Sequence, residues 1–468
     1  MRFFDRKIYK FFLMVLSGIM MAAVLMGCQS EEDDVIVLRV SNWEEYMDEG
    51  DWDEEEAMDI NDEVTIYGEN SLVEDYEEWF YETYGKKVRV EYSTFGTNEE
   101  LYNQITLGDV YDLVCPSEYM IMKMMTEDMV VPFSDSFYDM ENENNYYVRN
   151  VSPYINERLQ NLSINGQSLD KYASCYMWGT LGIVYNPDYV SEEEASHWDL
   201  LIDPDYYKQV TIKDSVRDAY FAGNAIYNYD ALMDEEFINS DDYFEQLDGL
   251  LNATDKATVD GVEAILSAAQ KNVYSFETDS GKADMVTGKV VANQQWSGDA
   301  VYTLDQAEED DVILCYAAPI EATNLWFDGW CMLEKGIDGD ADKQMAAEAF
   351  VNFMAKPDNA IRNMYYIGYT SSIAGVTDGL ILDFIEYMYG AEDEDDAVEY
   401  EIGYFFGEES LTVMTPEDQI NRQFGAQYPT KEIVDRSVVM AYFDKEGNER
   451  INRMWTNVRC FDLDTLFN

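Results

Sequence analysis

The chain has 468 residues, with 30 Lys and Arg against 95 Asp and Glu, one His, and a formal net charge of -65. A 47% hydrophobic and 14% aromatic content supplies enough apolar matter for two or three domains with real cores, so an acidic disordered chain is excluded. The charge excludes a phosphate-backbone partner such as nucleic acid, the lone His197 excludes histidine-rich zinc sites and two-histidine relays, and neither GxxxxGK[ST] nor GxGxxG occurs.

Arg2, Arg6, Lys7 and Lys10 precede a mostly apolar run over residues 11–27, which ends at Cys28 and is followed by acidic residues. This is a signal-peptide arrangement over 1–27, and Leu25-Met26-Gly27-Cys28 looks like a bacterial lipobox, with cleavage before Cys28 and lipidation of that cysteine. An uncleaved transmembrane anchor is the alternative, although the run is short for one. Either reading puts the rest of the chain outside the cytoplasm.

Residues 35–40 form a continuous apolar strand, and 48–63 read as an acidic surface insertion. Ser71-Leu72-Val73-Glu74 has capping-box spacing, and Leu72, Tyr76, Phe80 and Tyr84 keep helical periodicity until Gly85 stops it. Val88, Val90 and Tyr92 alternate as a strand, Thr97 and Glu100 open a second helix, 110–115 is the next strand, and Ser117 caps the segment after it. That β-α-β-α order implies a parallel sheet. Further strands are expected at 179–185, 210–213, 290–296, 313–316 and 330–333. Met345, Phe350, Val351 and Met354 share a helical stripe that Pro357 is expected to terminate. Asp338, Asp340 and Asp342 lack the rest of a calcium loop, since Lys343 and Ala349 occupy its sixth and twelfth positions; they read as helix-capping residues. Residues 392–401 read as a solvated acidic loop. After Cys28 an odd set of cysteines remains (Cys115, Cys175, Cys315, Cys331, Cys460), read mainly as small buried hydrophobes with room for one bridge at unspecified positions. No metal or cofactor is expected.

In open α/β sheets ligands bind beyond the carboxyl ends of strands. Those positions here carry Ser41-Asn42-Trp43-Glu44-Glu45-Tyr46, Pro116-Ser117-Glu118-Tyr119, Asp214-Ser215-Val216-Arg217-Asp218 and Trp296-Ser297-Gly298-Asp299, with Trp326-Phe327-Asp328 just before the last strand. Aromatic faces attract cations, carboxylates pair with ammonium groups, and methylenes pack on the same rings, so such a cleft suits an aliphatic diammonium or triammonium. Composition alone puts acids near aromatics, and core packing is the competing reading for any one ring.

These segments, together with Tyr92-Ser93-Thr94-Phe95-Gly96-Thr97-Asn98-Glu99, Tyr111-Asp112-Leu113-Val114-Cys115-Pro116-Ser117, Trp178-Gly179-Thr180 and Ile367-Gly368-Tyr369-Thr370, resemble bacterial extracellular solute-binding proteins of the spermidine/putrescine type, the lipid-anchored receptors of polyamine import systems. The resemblance implies a two-lobed, periplasmic-binding-protein-like (type II) α/β fold with a hinged interlobe cleft. Expected boundaries are 35–179 with 328–377 for one lobe and 180–327 with 378–468 for the other, crossing near Gly179-Thr180 and Trp326–Asp328. It implies a non-enzymatic monomer that passes a polyamine to the permease and ATPase of an ABC importer. Carried over residue by residue, Trp43 and Tyr46 lie against the ligand's methylenes with Glu45 at an amino group; Ser117, Tyr119 and Asp218 match further contacts. Trp296, Trp326, Asp328 and Tyr369 match the aromatic walls and the gripping carboxylate. Two departures bear on ligand choice: Ser215 stands where the spermidine-type pattern has an acid, and Asp299 looks like the putrescine-type pattern. Putrescine and spermidine both remain open.

Rival readings are a surface glycoside hydrolase pairing Glu45 with Asp328, a receptor for a sugar, amino acid or metal, and a surface adhesin. A neutral sugar would not need Glu45, Asp218, Asp299 and Asp328 together, and metal capture would need tighter clustering of acids or histidines.

Overall fold

The computed structural model describes residues 35–392 and 397–460. The signal-peptide and lipidation readings, 1–27 and Cys28, lie outside the described residues.

Strand β1 (Val35–Trp43) pairs in parallel with β2 (Lys87–Phe95), and the crossover between them carries helix α1 (Leu72–Tyr84). The capping box expected at its start is present: Ser71 accepts from the Glu74 N–H while the Glu74 side chain returns to the Ser71 N–H, and Gly85, at φ 67°, closes the other end. Leu72, Tyr76 and Phe80 recur every fourth residue on its buried face. Helix α2 (Asn98–Leu107) opens on Thr97, whose side chain accepts from the Glu100 N–H, and leads to β3 (Leu113–Val114), parallel to β1 on its other edge. That strand is shorter than the expected 110–115. At Asp112 the pairing with β1 is mixed: its N–H bonds the Arg39 carbonyl (2.8 Å), but the Arg39 N–H goes to the Asp112 carboxylate (2.7 Å), which also takes the Lys343 ammonium (2.9 Å).

After helix α3 (Glu118–Thr126) the chain reaches β4 (Ala173–Tyr185), which begins well before the expected Gly179 and is buried throughout. Strands β5 (Val210–Lys213), β6 (Ser275–Glu277) and β7 (Ala292–Trp296) come next, then β8 (Thr323–Leu333), antiparallel to β4 and also buried throughout. The principal strands lie in the order β6-β5-β7-β4-β8-β3-β1-β2. Among the described residues two large hydrophobic cores flank the central β4–β8 pair, with a smaller third cluster around Val184, Leu304 and Leu314. Along β4 the side chains pass from the first core to the second between Trp178 and Leu181; along β8 the same passage falls between Ala322 and Leu325. Two α/β lobes therefore share two long strands, which is the two-lobed arrangement of a hinged binding protein.

Several local expectations are corrected. Helix α6 (Ala341–Met354) stops before Pro357 as expected, with Lys356 extended, but the chain does not leave helix for long: Pro357 sits in the first turn of α7 (Pro357–Ile367), where its missing N–H is harmless. Segment 48–63 is not a loose insertion, for Asp48, Trp52, Met58 and Ile60 are buried. Most buried apolar residues from Leu380 to Val434, among them Phe384, Ile385 and Phe424, belong to the first core with Ile361 and Met364 and not to the second; Val438, Met440, Phe443, Ile451, Met454 and Val458 join the second. Part of the expected acidic loop is a strand, Ala397–Glu401, paired with Thr412–Pro416. Asp340 caps α6 through the Asp342 and Lys343 N–H groups, as a capping residue should. Among the described residues Cys115, Cys175, Cys315 and Cys331 are free and buried, Cys460 is free and exposed, and no bridge joins any two.

Candidate functional site

Asp328 sits where the β4–β8 register slips, at a bulge between Asp328 and Gly329 that turns its carboxylate toward the end of β3. Ser117 Oγ donates to Asp328 Oδ1 at 2.7 Å and Tyr46 Oη donates to Oδ2 at 3.0 Å. Ser117 is itself held by Asn98, which donates to its Oγ (3.0 Å) and accepts its N–H (3.1 Å). Burial pushes the Asp328 carboxyl up to about 6, with Ser117, Tyr46 and the indole of Trp43 pulling it back. The Trp43 indole packs on Phe95 at 4.8 Å, and its buried N–H closes no hydrogen bond among the described residues.

Tyr369 links this acid to the other lobe. Its ring meets Tyr46 edge-on at 5.0 Å and Trp326 at 5.7 Å, and its hydroxyl donates to Asp299 Oδ1 at 2.9 Å. Two glycines make this packing possible: a Cβ on Gly298 would lie 2.4 Å from the Tyr369 ring, and one on Gly179 2.6 Å from the Trp326 ring. The motifs Trp-Ser-Gly-Asp and Trp-Gly-Thr thus need their glycines for close approach.

On the second lobe, Trp296 Nε1 donates to Asp218 Oδ1 at 3.2 Å. Asp218 lies in the first turn of helix α4 (216–227), with its N–H on the Ser215 cap, and burial pushes its carboxyl upward against hydrogen bonds from Ser215 and Trp296. Asp299 is differently placed. Lys213 Nζ, at the end of β5, lies 3.0 Å from Oδ2, and Lys282 Nζ lies 3.4 Å from Oδ1. Burial acts to raise Asp299, yet the two lysines beside it hold it below the ordinary aspartate value. Lys213 also lies 4.4 Å above the Trp296 ring. Tyr119 donates to Glu99 at 3.3 Å, and the Arg217 guanidinium covers its ring at 3.9 Å.

Ten of the eleven candidate residues thus fall into one continuous aromatic and acidic assembly. Glu45 does not join it: it is exposed, in a left-handed conformation (φ 51°), with no side-chain hydrogen bond among the described residues. Four charged residues were not anticipated as site members. Glu118 is buried, accepts the Phe327 N–H at 3.2 Å, and is pushed by burial up to about 8 despite nearby Arg217. Arg217 reaches the carbonyls of Met440 and Ala441. Glu118 and Arg217 each adjoin a candidate residue in the chain, which was the available signal; Lys213 ends a strand read as apolar, and Lys282 carries no signal at all.

Residues 71–394 match the sequence model described as bacterial extracellular solute-binding protein. The chain belongs to this family. Similar members include the spermidine/putrescine-binding periplasmic protein of Escherichia coli, 24% identical over 284 residues, spanning 60% of this chain and 70% of that protein. The spermidine/putrescine-binding periplasmic protein 1 of Haemophilus influenzae is 25% identical over 318 residues, 67% and 76% of the two chains. The crystal structure of the spermidine/putrescine ABC transporter substrate-binding protein PotD from Streptococcus pneumoniae superposes with a TM-score of 0.59 at 25% identity, covering 91% of this chain and 98% of that one. The PotD lipoprotein of Treponema pallidum gives the same TM-score at 16% identity, covering 90% and 99%. Solute-binding proteins of this kind work outside the cytoplasm, and among the described residues no helix is long and apolar enough to cross a membrane.

Proposed function

We propose that this solute-binding protein captures a polyamine between its lobes and delivers it to the permease and ATPase of an ABC importer. The observation that carries the reading is Asp328: a buried carboxylate with no basic partner among the described residues, fixed by Ser117 and Tyr46 and flanked by Trp43, Trp326 and Tyr369. Burying an unpaired carboxylate is unfavourable, and a ligand ammonium supplies the missing charge while its methylenes cover the rings. The names of the similar proteins support the same ligand class. In this reading no bond is made or broken, the lobes close about β4 and β8, and the protein acts as a monomer tethered to the membrane face through a lipid on Cys28.

Calorimetric titration of the chain lacking residues 1–27 with putrescine and spermidine tests it. Asp328→Asn is expected to weaken binding by at least about tenfold, because a buried ammonium is left without its counter-charge. Affinity within about twofold of the parent would sink the assignment of Asp328, and absence of binding to any polyamine would sink the function.

A further inference from the structure

Of the aromatic and acidic places in the crevice, two are already served by the protein's own cations. Arg217 covers Tyr119, and Lys213 lies over Trp296 while pairing with Asp299. The second is the more telling. Lys213 is 1% exposed, its Nζ donates to Asp299 Oδ2 at 3.0 Å and to the Thr278 carbonyl at 2.8 Å, and the indole takes its remaining side. An ammonium on an aromatic face beside a carboxylate is the arrangement a bound amine would adopt. Asp299 in turn receives Lys213, Lys282 and the Tyr369 hydroxyl, three donors carrying two positive charges, against the roughly four acceptor positions of a carboxylate. A further ammonium there would meet two like charges at contact range.

We propose that Lys213 is a built-in ammonium filling the amine position between Trp296 and Asp299, so that the crevice accepts a diammonium chain and selects against a triammonium one. The inference rests on the polyamine function and narrows it. Among the described residues, Asp328 and Asp218 are the two buried candidate carboxylates with no Lys or Arg nitrogen within salt-bridge distance, one on each lobe, although Lys213 and Arg217 stand near enough to Asp218 to draw its carboxyl down. These two acids neutralise the two ends of a diamine. The remaining buried acid of the site, Glu118, already accepts the Phe327 N–H and is pushed by burial toward its neutral form, so the third nitrogen of a triamine meets no ready counter-charge, and a desolvated charge without a partner opposes binding.

The test compares putrescine and spermidine by calorimetry on the chain lacking residues 1–27, on Lys213→Gln and on Lys213→Arg, with melting curves to establish that each variant folds. The parent is expected to bind putrescine at least about tenfold tighter than spermidine; Lys213→Gln, which frees Asp299 and Trp296, is expected to cut that ratio at least about tenfold, chiefly through gained spermidine affinity. Lys213→Arg keeps the cation and is expected to keep the preference. A parent preference below about tenfold overturns the inference without any variant, as does a ratio in folded Lys213→Gln that stays within about twofold of the parent's. In those cases both amines still bind and the polyamine function stands; if neither amine binds the parent, that function falls and this inference with it.

Discussion

An aspartyl carboxyl that titrates at about 6 when folded, against 3.8 in the open chain, holds its proton longer in the native state than in the unfolded one. Ligand-free stability therefore falls as pH rises from about 4 to about 6, and above that the full penalty, about 3 kcal/mol, is in place. Among the described residues the groups facing Asp328 are Tyr46, Ser117, Trp43, Cys115, Cys175, Glu118 and Tyr369, none of them cationic. Glu118, raised by burial to about 8, extends the decline to that pH. A ligand ammonium prefers the carboxylate form, so polyamine affinity is expected to weaken below about pH 6, approaching about tenfold per pH unit. Calorimetry from about pH 5 to 8 checks this, and affinity that rises on acidification would refute it. Glu118→Gln retains the oxygen that accepts the Phe327 N–H but cannot ionise. Its ligand-free melting temperature should hold level between about pH 6 and 8, where that of the parent falls.

Helix α7 holds the acidic segment 48–70 through the adjacent side chains of Arg362 and Asn363. Arg362 pairs with Asp48, reaches Asp75 at 2.6 Å and donates to the Asn70 carbonyl, while its neighbour Asn363 accepts the Asp48 N–H at 2.9 Å. Asp48 is fully buried, so Arg362→Met strands a charge and is expected to destabilise the fold by about 3–5 kcal/mol in urea unfolding; a loss under about 1 kcal/mol would show the pair to be dispensable. This anchor also shows which elements the sequence could disclose. The capping box at Ser71 and Glu74 was readable because its partners are three residues apart. The docking of 48–63 was not, since Arg362 lies 314 positions from Asp48 and acids read locally as a solvated face. Pro357 is ambiguous locally, for a proline that ends one helix serves equally as the first turn of the next. The Asp328 cluster joins residues 211 and 282 positions apart; residue resemblance could assemble it, whereas composition and periodicity could not. Lys213 escaped because a lysine at a strand end reads as exposed until Asp299 and Trp296 are folded around it.

At the scale of the whole molecule, the net charge of -65 surrounds a candidate site whose acids are few and mostly buried. Such a surface attracts a polycation from a distance while adding little to its binding once seated, because water and salt screen the far charges and leave the buried contacts alone. The two effects separate kinetically. The association rate of a diamine should fall by about tenfold or more between about 30 and 300 mM salt, as the screening length shrinks below the size of the lobes. If the proposed contacts hold, with Asp328 and the rings of Trp43, Trp296, Trp326 and Tyr369 gripping the ligand, its dissociation rate should change far less. Stopped-flow mixing can follow both, using the fluorescence of the tryptophans at the crevice as the reporter. If the association rate is flat with salt, the surface charge serves solubility alone and the ligand arrives by unassisted diffusion. If dissociation carries the salt dependence instead, the ammonium groups sit at exposed acids, and Asp328 and Asp218 are the wrong carboxylates.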